Sequence, residues 1–202
     1  MGSLVTDGEQ AASHHGDGWA RRRQRVAVHI ERIALELIGE AGPTNVTVDQ
    51  IAAAAGISPR TFFRYFASRD DVVDAMPRRQ NEALFGRVAA RPATEGVLQA
   101  FLGAIEESPD EPTTEELILW WKARQHWPED VPAPWMVVDY AEVIADRLGA
   151  PADDLRVQIL ATVISHVMWL ALLRWLKSDR HETLKSVIES CFTVISELQQ
   201  FW

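Results

Sequence analysis

The sequence predicts an all-α protein: an N-terminal three-helix unit built around a helix-turn-helix, joined to a longer helical C-terminal half. Three observations predict it. Apolar residues recur at helical spacing throughout the 202 residues, and no run shows the alternation of a strand. Proline- and glycine-bearing breaks separate the apolar stretches. Between Thr47 and Asp71 the chain T-V-D-Q-I-A-A-A-A-G-I-S-P-R-T-F-F-R-Y-F-A-S-R-D-D carries three helix starts and one helix stop.

Residues 1–18 are small, polar and glycine-rich, and read as a disordered tail. From Trp19 to Ala41 the residues Val26, Ile30, Ile33, Ala34, Leu37 and Ile38 share one helical face, and Gly42-Pro43 ends the helix. The run Arg21-Arg22-Arg23-Gln24-Arg25 sits at its N-terminal end, where the helix dipole disfavours positive charge. Phosphate oxygens would relieve that conflict, so Arg22 and Arg23 are expected on an arm reaching into a minor groove.

Thr47 with Gln50 has the form of a capping box, with Val46 and Ile51 at the staple positions around it. Gly56 stands where the helix needs a residue able to take positive φ. Ser58 then caps a second helix with Pro59 in its first turn, and Ile57 and Phe62 repeat the staple. Ser68 and Asp71 make a third cap. The helix that follows carries Val72, Val73, Met76, Leu84, Phe85 and Val88, and runs to Arg91-Pro92. Pro77 lies well inside it and predicts a kink or break between Val73 and Arg78.

Four or five further helices follow. Thr94–Glu107 is amphipathic, and Thr113–Trp127 opens on Thr113 and Glu116. Trp135–Leu148 leads into Gly149-Ala150-Pro151. Ala152–Lys177 is apolar on nearly all sides, which predicts a helix wrapped by others rather than a membrane span. The last stretch, from Ser178, places Leu184, Ile188, Cys191, Ile195 and Leu198 on an a/d-like seam that predicts a homodimer interface. The expected domains are therefore a tail (1–18), a helix-turn-helix domain (19–67) and a helical ligand-binding and dimerisation domain (68–202).

Net charge of −9 conceals an asymmetry. Residues 1–91 hold twelve arginines against eleven acids, whereas residues 92–202 hold eight basic against eighteen acidic residues. A basic head on an acidic body suits a DNA reader. One cysteine excludes an internal disulfide and fits the cytoplasm. No metal-ligand set, cofactor fingerprint or nucleophile motif is present, so an enzyme is not expected. The rival reading is a helical protein-interaction module without specific DNA binding.

The stretch Val46–Ala52, Ala55–Ser58, Arg60–Phe66 and Ser68–Asp71 resembles the TetR family of bacterial transcriptional regulators, over roughly Val26 to Val72. The resemblance implies a double-stranded DNA operator, control by a small molecule, and a homodimer built on the last two helices. Carried over position by position, it implies that Ser58 to Phe66 enter the major groove. Ser58, Arg60, Thr61 and Arg64 would stand on that segment, with Arg60 suited to guanine. Thr47, Tyr65 and Arg69 would touch phosphate, which positions without reading sequence. Phe63 replaces the tyrosine common in the family and is expected to pack.

For the regulatory half, five of eight tryptophans fall between Trp120 and Trp169. Trp120, Trp121, Trp127, Trp135 and Trp169, with polar Gln125, Ser165 and His166, are the expected lining of an apolar, aromatic effector pocket.

Overall fold

The computed structural model describes residues 6–108, 113–126, 134–179 and 181–198; within these, the side chains of 6–17, 20, 134–139 and 198 are not described. Among the described residues there are nine α-helices, one 3-10 turn and no strand. The helices are α1 (Thr6–Ala41), α2 (Val48–Ala54), α3 (Pro59–Phe62), α4 (Arg69–Ala90) and α5 (Val97–Glu106). They continue as α6 (Thr114–Arg124), α7 (Pro134–Leu148), α8 (Leu155–Lys177) and α9 (Leu184–Leu198). The predicted all-α class is the observed one.

Two expectations about helices need correction. The tail expected to be disordered is helical from Thr6, so α1 has 36 residues rather than starting at Trp19. Ala11 and Ala12 have high intrinsic helix propensity. The second correction concerns Pro77, which lies inside a helix that continues unbroken from Arg69 to Ala90.

The chain divides into two compact units. Unit 1 comprises Met1–Met76 and Glu115–His126, and unit 2 comprises Pro77–Thr114 and Trp127–Trp202. Unit 1 runs past the expected boundary at residue 67 and includes a second, distant piece of chain. Nothing in the local sequence marks that piece, because only packing assigns α6 to the head.

Unit 1 is closed by Ile30, Ala34, Ile38, Ile51, Phe62 and Val72, all completely buried. Burying each of the larger of these side chains contributes about 1.5–3 kcal/mol, so this layer fixes how α1 to α4 meet. The backbone at Gly42 (φ 79°) and Gly56 (φ 68°) takes the left-handed conformation that lets α1 and α2 stop sharply. Gly39 allows α6 to lie close against α1: a Cβ there would stand 3.2 Å from the Lys122 Cβ.

In unit 2, α8 packs against both α7 and α9, and α9 also meets α5. Tyr140, Ile144, Val157, Ala161, Ile164 and Phe101 are fully buried and Phe192 nearly so. Only one side of α8 is covered. Val157, Ala161, Ile164, Trp169 and Trp175 point inward, while Leu155, Ile159, Val163 and Leu170 remain exposed. The expectation of a helix wrapped on all sides fails because half of its apolar surface faces outward from the single chain.

Candidate nucleic-acid interface

The helix-turn-helix is held by hydrogen bonds that its own sequence supplies. Thr47 Oγ1 accepts from the Gln50 backbone N–H at 3.2 Å, and Gln50 Oε1 accepts from the Thr47 N–H at 2.8 Å. Ser58 Oγ accepts from the Thr61 N–H at 3.1 Å, with the Thr61 hydroxyl 2.9 Å away. At α4, Ser68 Oγ accepts from the Asp71 N–H while Asp71 Oδ2 accepts from the Ala67 N–H. All three predicted caps are formed.

Phe62 and Phe66 anchor the inner side of the recognition segment, at 0% and 6% exposure. Its outer side presents Ser58, Arg60 and Arg64 to solvent, with Thr61 and Tyr65 half-buried beside them. Arg64 lies over the Tyr65 ring at 5.2 Å, and its Nη2 donates to the Tyr65 hydroxyl at 3.3 Å. The pair therefore presents one cation and one phenol as a pre-arranged unit. Thr47 is exposed at the start of α2.

Two more residues belong to this region. Arg69 donates to the backbone carbonyls of Pro43 and Val46 and pairs with Asp70 at 2.7 Å. A guanidinium in the first turn of α4 opposes the dipole, and these acceptors draw it back onto the preceding loop. Arg69 thus ties the 3-10 turn (Pro43–Asn45) to α4. Phe63, expected to pack, is 56% exposed and touches Phe62 edge-on at 5.5 Å. Neighbouring helical side chains point about 100° apart, and in this short segment Phe62 takes the inward direction.

The arginines of α1 are exposed, with Arg23 stacked 5.7 Å over the ring of exposed Trp19. Gly18, Arg21, Gln24 and Arg25 line an open groove of about 480 Å³. These residues are helical, as the helix expected from Trp19 implies. A helix about 10–12 Å across does not enter a minor groove about 6 Å wide.

Pro77 has a consequence one turn earlier. Without an N–H it leaves the carbonyl of Val73 without its helical donor. The indole Nε1 of Trp120 takes that place, donating to Val73 O at 2.8 Å from a buried position. Trp120, expected in an effector pocket, is therefore a structural donor in the core of unit 1.

The remaining expected pocket residues fall in different units. Trp121 lies half-buried beside Trp120, with ring centroids 6.4 Å apart, and Gln125 is exposed; all three belong to unit 1. Ser165, His166 and Trp169 belong to unit 2. Ser165 Oγ donates to Thr162 O, and His166 Nδ1 lies 2.8 Å from the same carbonyl with its ring exposed. Trp169 is buried. Trp127 and the side chain of Trp135 lie outside what is described.

Along α9, Ile188 is buried within its own chain, and Leu184, Cys191 and Ile195 are half-buried; the side chain of Leu198 lies outside those described. Burial raises the Cys191 thiol pKa above its ordinary value, although Arg174 pulls the other way. A 4-3-4-3 seam marks an apolar stripe but does not say whether it covers the chain's own core or a partner's. Most of the exposed large apolar residues described in unit 2 lie on α8, the others being Leu148 of α7 and Val194 of α9. By length and composition α8 would also suit a membrane, but its inner side is a packed interface with α7 and α9.

Residues 32–76 match the family described as bacterial regulatory proteins, tetR family, and residues 136–199 match the MftR C-terminal domain. A protein of Mycobacterium tuberculosis, provisionally named mycofactocin biosynthesis transcriptional regulator MftR, is 30% identical over 189 residues, 90% of this chain and 94% of its own length. The chain belongs to the TetR family. This TetR-family regulator is also 40% identical over 106 residues to the HTH-type transcriptional regulator TcmR of Streptomyces glaucescens, covering 52% of this chain and 47% of that protein. A TetR-family regulator of Streptomyces coelicolor superposes with a TM-score of 0.47 at 16% identity, over 87% of this chain and 98% of that one. Members of the family bind DNA operators and small-molecule effectors and act as dimers. The regulator is accordingly a DNA-binding transcriptional regulator and not an enzyme.

Proposed function

We propose that the protein is a homodimeric repressor that holds a two-fold-symmetric operator and is released by a small apolar or aromatic effector. The observation that carries this reading is the outer surface of the recognition segment, where Ser58, Arg60, Phe63 and Arg64 are exposed above buried Phe62 and Phe66. On that surface Arg60 has the donors for a bidentate contact to guanine, and Phe63 offers an apolar contact to a thymine methyl. Thr47, Thr61 and the Arg64–Tyr65 pair serve the flanking phosphates. Arg22 and Arg23 act from a helix, so their part is to neutralise backbone phosphates from outside the groove. The exposed apolar side of α8, with Val194, is the surface we assign to the second protomer.

Release follows from differential affinity of the effector for the DNA-competent and incompetent states. It works in the cytoplasm by altering the separation of the two recognition segments, which a symmetric operator fixes at about 34 Å. The likeness of residues 136–199 to the MftR C-terminal domain makes genes of mycofactocin biosynthesis the first place to seek the operator. Footprinting on DNA flanking the coding region and such genes tests the whole reading. A protected site with two-fold symmetry, bound less tightly as salt rises, is expected. An asymmetric or salt-insensitive footprint would overturn it.

A further inference from the structure

Between Arg156 and Arg174, α8 carries one ionisable side chain, His166, in a stretch that is otherwise uncharged. It stands on the uncovered side of the helix. Leu155, Ile159, Val163 and Leu170 are exposed there, and exposed His166 lies one turn from both Val163 and Leu170. Its Nδ1 is 2.8 Å from the carbonyl oxygen of Thr162. A carbonyl only accepts, so Nδ1 carries the hydrogen and Nε2 is the nitrogen open to a second proton. The helices packed against α8 bring charges of their own: Glu142, Asp146 and Arg147 on α7, and Lys185, Glu189 and Glu197 on α9. None of these pairs with the imidazole. On α8 itself Arg156 and Arg174 lie about 15 and 12 Å away along the axis. Among the described residues, then, no anion holds an imidazolium in place.

We propose that His166 makes assembly of the dimer, and through it binding of the operator, sensitive to acid. The inference rests on the assignment above of the exposed side of α8 to a second copy of this chain. A two-fold interface brings the same surface of both copies together, so α8 meets its counterpart running the other way. The stripe suits that pairing. Leu155 and Leu170 stand at its ends with Val163 near its middle, and exposed Asp153 beyond one end falls against exposed Arg174 beyond the other. In this register His166 lies opposite Ile159 of the partner subunit, and the contact occurs twice. A neutral imidazole can be covered there while its Nδ1–H stays bonded to Thr162. An imidazolium cannot, because a charge placed under apolar side chains with no anion beside it loses its hydration without replacement. Acid therefore favours separated chains. A single chain offers one recognition segment and loses the gain of holding both half-sites at once, so the operator is released without any effector.

The test measures the dimer dissociation constant of the full-length protein, fluorescently labelled, by analytical ultracentrifugation at about pH 8 and about pH 5.5, which span the range where imidazoles titrate. One unit below the ordinary imidazole value, excluding a proton costs about tenfold for each histidine, so the unmodified dimer should weaken by about a hundredfold. His166→Gln and His166→Leu stay uncharged at both values and should hold the constant within about threefold. His166 is exposed in the single chain, so neither change disturbs its core. An unmodified dimer that changes by less than about threefold, or variants that weaken as much as the unmodified protein, overturns the proposal. Ile159→Glu separates this from the interface reading, because it should leave single chains at both pH values. If it does so and the pH dependence is absent, the interface stands and the acid switch falls. If Ile159→Glu is as dimeric as the unmodified protein, the second copy sits elsewhere and both fall.

Discussion

Unit 1 and unit 2 are held together by hydrogen bonds of different reach. In the head, side chains satisfy backbone groups three or four residues away: Thr47 with Gln50, Ser58 with Thr61, Ser68 with Asp71. In unit 2 the main ties span long stretches of chain. Arg147 of α7 donates to the carbonyls of Val88, Arg91, Pro92 and Glu95, and Arg87 donates to Ala104 O. Arg91 meets Glu95 and Glu107, both at 2.6 Å. Local caps define a rigid reading surface whatever the rest of the molecule does. Ties between distant segments form or fail together, which suits a half whose internal arrangement must respond to a ligand.

The largest test of this contrast is Arg147→Met, which leaves the carbonyls closing the end of α4 without their charged donor. Urea denaturation should show a loss of roughly 3 kcal/mol or more, since bonds to charged groups contribute about 1.5–3 kcal/mol each before compensation by water. A loss below about 1 kcal/mol would mean that solvent replaces the tie and that unit 2 does not depend on it.

Next comes Trp120→Phe in unit 1, where a distant donor serves α4, as Arg69 serves the carbonyls of Pro43 and Val46. Removing the indole N–H should cost about 1–3 kcal/mol, because the Val73 carbonyl is then left with neither donor. In a Pro77→Ala background the alanine N–H can take the same carbonyl, so the cost of Trp120→Phe should fall markedly. A double-mutant cycle with no coupling would break the link between proline and tryptophan.

Ser58→Ala should cost about 1 kcal/mol, typical of a lost N-cap, and leave unit 2 unchanged by hydrogen exchange. Protection lost across α7 and α8 as well would show that the cap is not local.

The smallest effect expected is on pH dependence. Hydrogen bonding to Arg91 holds the Glu95 carboxyl below its ordinary 4.5, although burial opposes the shift. Arg156 likewise lowers Asp154 below its ordinary 3.8. Groups with depressed pKa contribute stability that is present above their unfolded values and is lost as pH falls through the folded ones. Acid unfolding should therefore begin below about pH 4.5, and Glu95→Gln should flatten the dependence in that window. An unchanged profile would show that solvent screens the Arg91–Glu95 pair completely.

These differences of reach also explain what could be read from the residues alone. Gly56, Ser58-Pro59 and the flanking apolar pairs specify the helix-turn-helix because each acts on backbone a few residues away. Trp120 and Ser165 could be placed on helices but not sorted into units, since neither residue's neighbours in sequence say what it packs against. The apolar stripe on α9 was visible, yet only packing shows Ile188 turned into its own chain and the outward surface on α8.

The tie from Trp120 to Val73 bears on how such regulators can be taken apart. The unit that reads DNA is discontinuous, because residues 115–126 belong with residues 1–76. A fragment cut after the helix-turn-helix would lose the cover on α1 at Gly39 and the donor that closes the gap left by Pro77. Grafting a foreign effector half onto this head would therefore have to bring residues 115–126 along, or supply a helix with an indole in the same place.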